Sequence, residues 1–242
     1  MFGRCLAILT VVGAVTACTT LFEDDFEAYP SGASVGVTPN PDTSAPGEIL
    51  ASGDPALYRV QGGSALEGSQ SLVLGFADQG PPNQGPVLSF ISDPPQPVAP
   101  QGGEATSRRP VFFSWRGRIS AVSDGSFSSV DVREAGDLLL IVAVNDARVI
   151  IQKGTSQEVI DGDFTSEHRI VIRVDAGGYF QVEVTGQGGG GGVCGGVSGC
   201  AFTALPGPID LPSLQFQMRT FQQVPQGDTY RVDDVRTSQR DF

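Results

Sequence analysis

The chain has 242 residues, with 27 Asp and Glu against 15 Lys and Arg, a formal net charge of −12 and an isoelectric point near 4.4. So acidic a balance argues against a nucleic-acid partner and against peripheral docking on anionic lipid. With 32 Gly, 17 Pro and little helical periodicity, the chain reads as many short strands joined by turns.

Residues 1–17, MFGRCLAILTVVGAVTA, carry one positive charge at Arg4 followed by an apolar run from Cys5 to Val15. That run is too short to span a bilayer and has the pattern of a cleaved secretory signal peptide. It ends in VTAC, which resembles the lipobox of bacterial lipoproteins. The resemblance implies that Cys18 becomes the first mature residue and carries the lipid, so that a covalent anchor holds the protein to the membrane. Thr19 rather than Asp after that cysteine implies, for a Gram-negative host, the outer membrane of the cell envelope. An ordinary signal peptide with an incidental cysteine is the plainer alternative. Residues 18–242 have a length suited to a single all-β domain.

The next stretch, LFEDDFEAYP, reads as the opening strand. At period two, Glu23, Asp25 and Glu27 share one face, with Phe22 and Phe26 available for packing. Further strands are expected in ALYRV, SLVLGF, PVLSFI, VFFSWRGRIS, SVDVRE, DLLLIVAV, ARVIIQK, QEVIDG, EHRIVIRVD, YFQVEVTG, CAFTAL, SLQFQMRTF and TYRVDDVRTS. About fourteen strands without a helix suit two stacked antiparallel sheets. DLLLIVAV, continuously apolar, is expected as a central strand covered on both faces. Two long mobile loops interrupt the rhythm, one near 92–110 and one near 186–200. The second contains Cys194 and Cys200, for which export to an oxidising compartment makes a disulfide the default. Closing so small a ring stabilises by at most roughly 2.4 kcal/mol in the chain-entropy view.

Single residues weigh less. Trp115 falls in phase with Phe113 and Ile119, which places it in the core rather than on a sugar shelf. His168, the one histidine, stands in phase with Ile170 and Ile172 and reads as a half-buried strand-start residue. Phe112, Arg116 and Arg118 point opposite to Trp115, and Asp131 and Arg133 alternate similarly. Several arginines on one sheet face offer hydrogen-bond forks to acidic sugars or carboxylates; the plainer reading is a solvated face with cross-strand ion pairs.

DDFEAYPSG near the start, SEHRIVIRVDAGGYFQVEVTG and the closing YRVDDVRTS together resemble the concanavalin A-like, laminin-G-like jelly rolls across nearly the whole mature chain. The resemblance implies a two-sheet antiparallel jelly-roll sandwich whose terminal strands pair, and raises glycan as the leading ligand class. Retaining laminarinase-type hydrolases of this fold carry an E-x-D-x-E strand, which Glu23, Asp25 and Glu27 match in spacing. Asp24 at a normally apolar position, the site's nearness to Cys18 and a single Trp count against catalysis. Asp24 and Asp25, brought beside Asp233 and Asp234, are the alternative metal set, for a structural calcium; no other cofactor is expected. Pairing of these acids with Arg231 and Arg236 on an exposed edge is the bland alternative. The function expected is that of a non-catalytic envelope lipoprotein, binding glycan or serving structurally. A glycan-active hydrolase or lyase, and a structural component binding envelope proteins, are the alternatives.

Overall fold

The computed structural model describes residues 20–63, 65–75, 87–92, 110–120, 126–186, 192–194, 209–221 and 229–239. Cys18, Cys200, the leader, the CAFTAL segment and most of both long loops lie outside the described residues.

Among the described residues, fifteen strands form two antiparallel sheets. The first holds β13 (Gly192–Cys194), β12 (Phe180–Gly186), β11 (His168–Val174), β6 (Val111–Ile119), β15 (Thr229–Ser238), β4 (Gln70–Gly75) and β3 (Tyr58–Gly62) in that order, with β1 (Thr20–Asp24) also against β15. The second runs β10 (Ser156–Asp161), β9 (Arg148–Lys153), β8 (Asp137–Val144), β7 (Phe127–Glu134), β14 (Leu214–Phe221), β5 (Val87–Ile91) and β2 (Glu48–Ser52). The single-turn 3-10 helices Pro55–Leu57 and Leu211–Ser213 lead into β3 and β14. The expected all-β, two-sheet antiparallel sandwich is thus the observed architecture, and the terminal strands pair as expected.

The core is the interface between the sheets, built by side chains that alternate inward along each strand. In β11, Ile170, Ile172 and Val174 are buried while Arg169, Val171 and Arg173 are half-exposed. Phe113 of the first sheet stacks on Phe216 of the second, with ring centroids 4.4 Å apart and planes 5° from parallel. Phe90 reaches both Phe113 and Phe22 at 5.5 and 5.4 Å, so one aromatic column ties β1, β5, β6 and β14 together. Trp115 lies in the core as expected, 1% exposed.

Three expectations need correction. β8 is buried on one face only: Leu140, Val142 and Val144 face the core, whereas Leu138 is 47% exposed. The chain thus keeps apolar side chains on a partly open face, which composition alone does not separate from a covered strand. β2 and β13 were not expected; the first is a short edge strand without clear alternation, the second lies in a glycine run. Finally, β1 ends at Asp24, so Glu23, Asp25 and Glu27 do not share one strand face. Phe26 turns the chain there with φ +61 while remaining fully buried. A left-handed conformation at a bulky residue costs on the order of 1–3 kcal/mol. Burying a phenylalanine ring offsets most of that, and the Asp24 Oδ1 accepts the Phe26 N–H at 2.8 Å.

Candidate functional site

β15 changes neighbours along its length. Thr229–Val232 pair with β4, whereas Val235–Ser238 pair with β1. Between those two partners sits a bulge at Asp233 to Arg236 in its pairing with β6, and Asp234 adopts φ +49. The sequence-predicted acids gather around this junction, but in separate roles. Asp233 is 1% exposed, its carboxylate accepting the Glu67 and Asp234 N–H groups at 3.1 and 2.9 Å; burial pushes its pKa up to about 7. Asp234 pairs with Arg236 Nε at 2.6 Å and Arg116 Nε at 3.5 Å. Glu23, directly opposite Arg236 in register, bridges to it at 3.1 Å; both side chains are about 40% exposed, so the pair contributes under ~1 kcal/mol. Glu27 accepts from the Ser69 N–H, the Ser69 hydroxyl and the Gln70 N–H at 2.7, 2.6 and 2.8 Å, clamping the turn after β1 to the β3–β4 hairpin. Those donors, the Ser69 hydroxyl first, hold its carboxyl below the usual range, the wrong direction for a general acid. Asp25 caps the Glu27 N–H.

Asp24 faces elsewhere. Besides the Phe26 N–H it accepts the Tyr29 hydroxyl and the Asn40 amide, both at 3.2 Å, beside a cavity of about 380 Å³ that Asp42 also lines. Burial raises its pKa to about 6. The proposed calcium set spreads over two concavities: Asp25, Asp233 and Asp234 line one with Arg236, and Asp24 and Asp25 line another with Asp42. Among the described residues no group of three or more His, Cys, Asp and Glu is arranged to hold a metal ion. Cys194 lies on β13; its proposed partner Cys200, and the lipidation site Cys18, lie outside the described residues.

His168 is buried, not half-buried, and belongs to a directed hydrogen-bond chain. Its Nδ1 lies 3.1 Å from the Ser166 carbonyl, which only accepts, so Nδ1 carries the proton and Nε2 accepts from the Tyr230 hydroxyl at 3.1 Å. The Tyr230 oxygen in turn accepts the Trp115 indole N–H at 2.7 Å. Burial drives the His168 pKa down to about 4, leaving the ring neutral. Gly117 makes this possible, because a Cβ there would land on the Tyr230 hydroxyl and 2.7 Å from His168 Nε2.

The outward face of the first sheet carries a different chemistry. Register places Arg59 opposite Val73, Val73 opposite Arg231, and Arg231 opposite Arg118, a row crossing β3, β4, β15 and β6. Two residues along β6, Arg116 stands opposite Arg169 of β11. Arg173 and Arg236 share the same face, so seven of the chain's 15 basic residues cluster there. Arg231 donates to the Ser71 hydroxyl at 3.2 Å, and burial together with the charge of Arg118 lowers its pKa. It does not take the acidic partner expected of it, whereas Arg236 does. Arg116 is bound by Glu67 and Glu167 at 3.1 and 3.2 Å as well as by Asp234; their charges outweigh the effect of burial and raise its pKa. Arg116, Glu167, Arg169 and Thr185 line an open concavity of about 340 Å³. On the second sheet one carboxylate serves two arginines: Asp131, 6% exposed, is held between Arg133 and Arg219 at 3.2 and 3.3 Å. Arg116 and Arg118 were legible from alternation on β6, as was Arg169 on β11. Arg59 was missed, although Tyr58 and Val60 on either side of it are inward-facing apolar residues.

No family model matches the sequence, and no curated protein matches it. Solved structures are similar in fold. One concerns botulinum neurotoxin type C, whose cell entry is described as dependent upon interaction with two ganglioside molecules (TM-score 0.49, 8% identity, covering 92% of this chain and 48% of that one). Another is the binding domain of botulinum neurotoxin DC in complex with rat synaptotagmin II (TM-score 0.48, 9% identity, 92% and 48%). A third is the carbohydrate esterase vb_24B_21 from the Shiga toxin-encoding bacteriophage phi24B (TM-score 0.46, 14% identity, 78% and 89%). The chain spans about half the length of the neurotoxin chains it matches. At such identities and scores the likenesses carry no argument about ligand or activity.

Proposed function

We propose that the protein is a non-catalytic binding module of the cell envelope, tethered through a lipid on Cys18, that takes an acidic glycan on the outward face of its first sheet. The observation that carries this reading is the gathering of arginines on that face, among them Arg118 directly opposite Arg231, whose guanidinium donates to the Ser71 hydroxyl. Like charges placed opposite each other on one sheet face destabilise by roughly 0.2–1 kcal/mol per pair. In a chain of net charge −12 the accumulation of arginines on one face is not the product of general basicity. Guanidinium forks match carboxylate and sulfate groups geometrically.

Binding of purified protein to acidic and neutral polysaccharides of matched length tests the reading. Acidic polymer is expected to bind and neutral polymer not, with affinity falling as salt rises. Arg231→Glu replaces a like-charge opposition by an attractive one, so it is expected to abolish binding while leaving the unfolding midpoint equal or higher. Equal binding of the neutral polymer, or unchanged binding by Arg231→Glu, would refute it.

A further inference from the structure

We infer that the open edge of β10 takes an extended segment of another protein as an added antiparallel strand. That segment sets basic residues opposite Glu158 and Asp161 and an apolar residue opposite Val159. The edge belongs to the second sheet, away from the arginine face of the first.

A sheet edge leaves backbone N–H and C=O groups without a neighbouring strand, and this chain covers two such edges. Along β3, the Gly32 N–H donates to the Val60 carbonyl at 2.7 Å and the Val60 N–H to the Ala33 carbonyl at 2.9 Å. Along β2, Gly36 packs so closely that a Cβ there would lie 2.8 Å from the Ala51 nitrogen and 3.1 Å from the Ile49 oxygen. β10 closes the opposite end of that second sheet. Among the described residues nothing hydrogen-bonds to the backbone of its outer side.

Register fixes which groups that edge presents. The β9–β10 hairpin turns through Gly154 and Thr155, with Lys153 opposite Ser156 and φ +56 at Gly154. A two-residue turn makes its closing residues a hydrogen-bonded pair, after which bonded and non-bonded pairs alternate. Glu158 and Ile160 therefore bond toward β9. The phase continues past the strand, where the Gly162 N–H donates to the Ala147 carbonyl at 2.9 Å. Gln157, Val159 and Asp161 turn their N–H and C=O groups outward, at the alternate-residue spacing an added antiparallel strand requires.

The side chains select the occupant. Val159, 40% exposed, lies opposite Ile150, which lies opposite Ala143, so an apolar row on the outward face runs out at the edge. An apolar residue added opposite Val159 extends that row. Asp161 shares this face, whereas Glu158 points to the other side with Ile160, and β10 carries no basic residue. A second copy fits poorly. Antiparallel self-pairing centred on Val159 would set the two Glu158 side chains on a diagonal of about 7–8 Å, between chains of net charge −12 each. A strand with Arg or Lys opposite Glu158 and Asp161 meets opposite charge on both faces instead. Arg148 stands across from Asp161 on β9, so Glu158 is the more selective of the two positions. In the partner's direction the pattern reads basic, any residue, apolar, basic.

The test uses the fluorescein-labelled peptide Thr-Arg-Thr-Val-Arg-Thr-Ser, titrated with the purified full chain in mild detergent and followed by anisotropy. Saturable binding is expected, weakening several-fold as salt rises from about 50 to about 300 mM. The same peptide with glutamate for both arginines is expected to bind at least about tenfold more weakly. N-methylation of the valine amide, which faces β10, is expected to cost about tenfold or more, whereas N-methylation of the threonine before it, which faces away, changes affinity less than about twofold. Val159→Pro removes an outward N–H at an edge position that tolerates proline, and is expected to abolish binding with the urea midpoint near that of the wild type. Glu158→Gln is expected to weaken binding several-fold. Should Val159→Pro fail to fold, the two N-methylated peptides carry the test alone. Absence of saturable binding, equal effects of the two N-methylations, or equal binding of the glutamate peptide would overturn the inference. A dimer seen by sedimentation that tightens with salt and is lost in Val159→Pro would also overturn it, since the edge would then belong to a second copy.

Discussion

Gly117→Ala is expected to be far more damaging than its single added methyl group implies. Gly117 faces inward on β6, and its φ lies outside the left-handed region, so alanine carries no backbone penalty there. The cost is steric and polar. The new Cβ would coincide with the Tyr230 hydroxyl oxygen and sit 2.7 Å from His168 Nε2, against backbone and rings that are themselves fully packed. Inserting a methyl group into such a core costs roughly 1–3 kcal/mol. Displacing Tyr230 also breaks the indole-to-hydroxyl and hydroxyl-to-imidazole bonds, and each buried polar group left without a partner costs about 1–3 kcal/mol more. We expect a total near 3–5 kcal/mol, a large part of a domain's usual stability of about 5–15 kcal/mol. The chain's only tryptophan, Trp115, donates into this network, so its fluorescence during urea unfolding reports both the midpoint and the altered environment. Tyr230→Phe removes the nearest of the three colliding atoms, while the ring carbon at 2.6 Å and His168 Nε2 at 2.7 Å remain. In that background Gly117→Ala is expected to cost less than in the wild type, by about the 1–3 kcal/mol of the hydroxyl's broken hydrogen bonds. A loss below about 1 kcal/mol in the wild-type background, or the same loss in both backgrounds, would refute the reasoning.

Two further perturbations probe the junction at β15. Burial holds the Asp233 carboxyl at about 7 in the folded state against about 3.9 unfolded, so the folded protein binds the extra proton between those values. The associated stabilisation is fully present below about pH 4 and is lost by about pH 7, at most roughly 4 kcal/mol. Asp233→Asn is therefore expected to lose stability relative to wild type at pH 4.5 and to recover or exceed it at pH 8, read from urea midpoints; parallel pH profiles would contradict this. Glu27→Ala is expected to lower hydrogen-exchange protection of the Ser69 and Gln70 amides about tenfold while changing global stability by only about 1 kcal/mol, because the clamp is local and solvent-exposed. Unchanged protection at those two amides would show that the clamp does not hold the hairpin.

Much of the fold was legible because its signal is periodic. β8 begins and ends where a continuous apolar run and its flanking turn residues place it, and β11 alternates so regularly that its inward set needs no structure to name. The acidic stretch was misread for a physical reason. Period two extrapolates a strand through Glu27, and a bulky residue such as Phe26 carries no local mark of positive φ. What ends β1 is a tertiary bargain: the buried ring of Phe26 and the Asp24 carboxylate beneath its N–H outweigh the backbone cost. Glycine at 117 was equally silent, since its role depends on Tyr230 and His168, distant in sequence and brought together only by strand order.

The same limit explains the arginine face and locates its meaning. Arg59, Arg116, Arg118, Arg169 and Arg231 lie on four strands spread from one end of the domain to the other, and each alone reads as an ordinary outward residue. Only strand order, which sets β6 between β11 and β15, converts them into opposed pairs. On the second sheet one buried aspartate meets two arginines. On the first sheet, carboxylates gather instead at Arg116, Arg173 and Arg236, while Arg231 is left with a serine hydroxyl and a neighbouring guanidinium. The two sheets thus place the same residue types differently: on the second one carboxylate serves two arginines, and on the first several carboxylates converge on Arg116 and Arg236 at the bulge of β15.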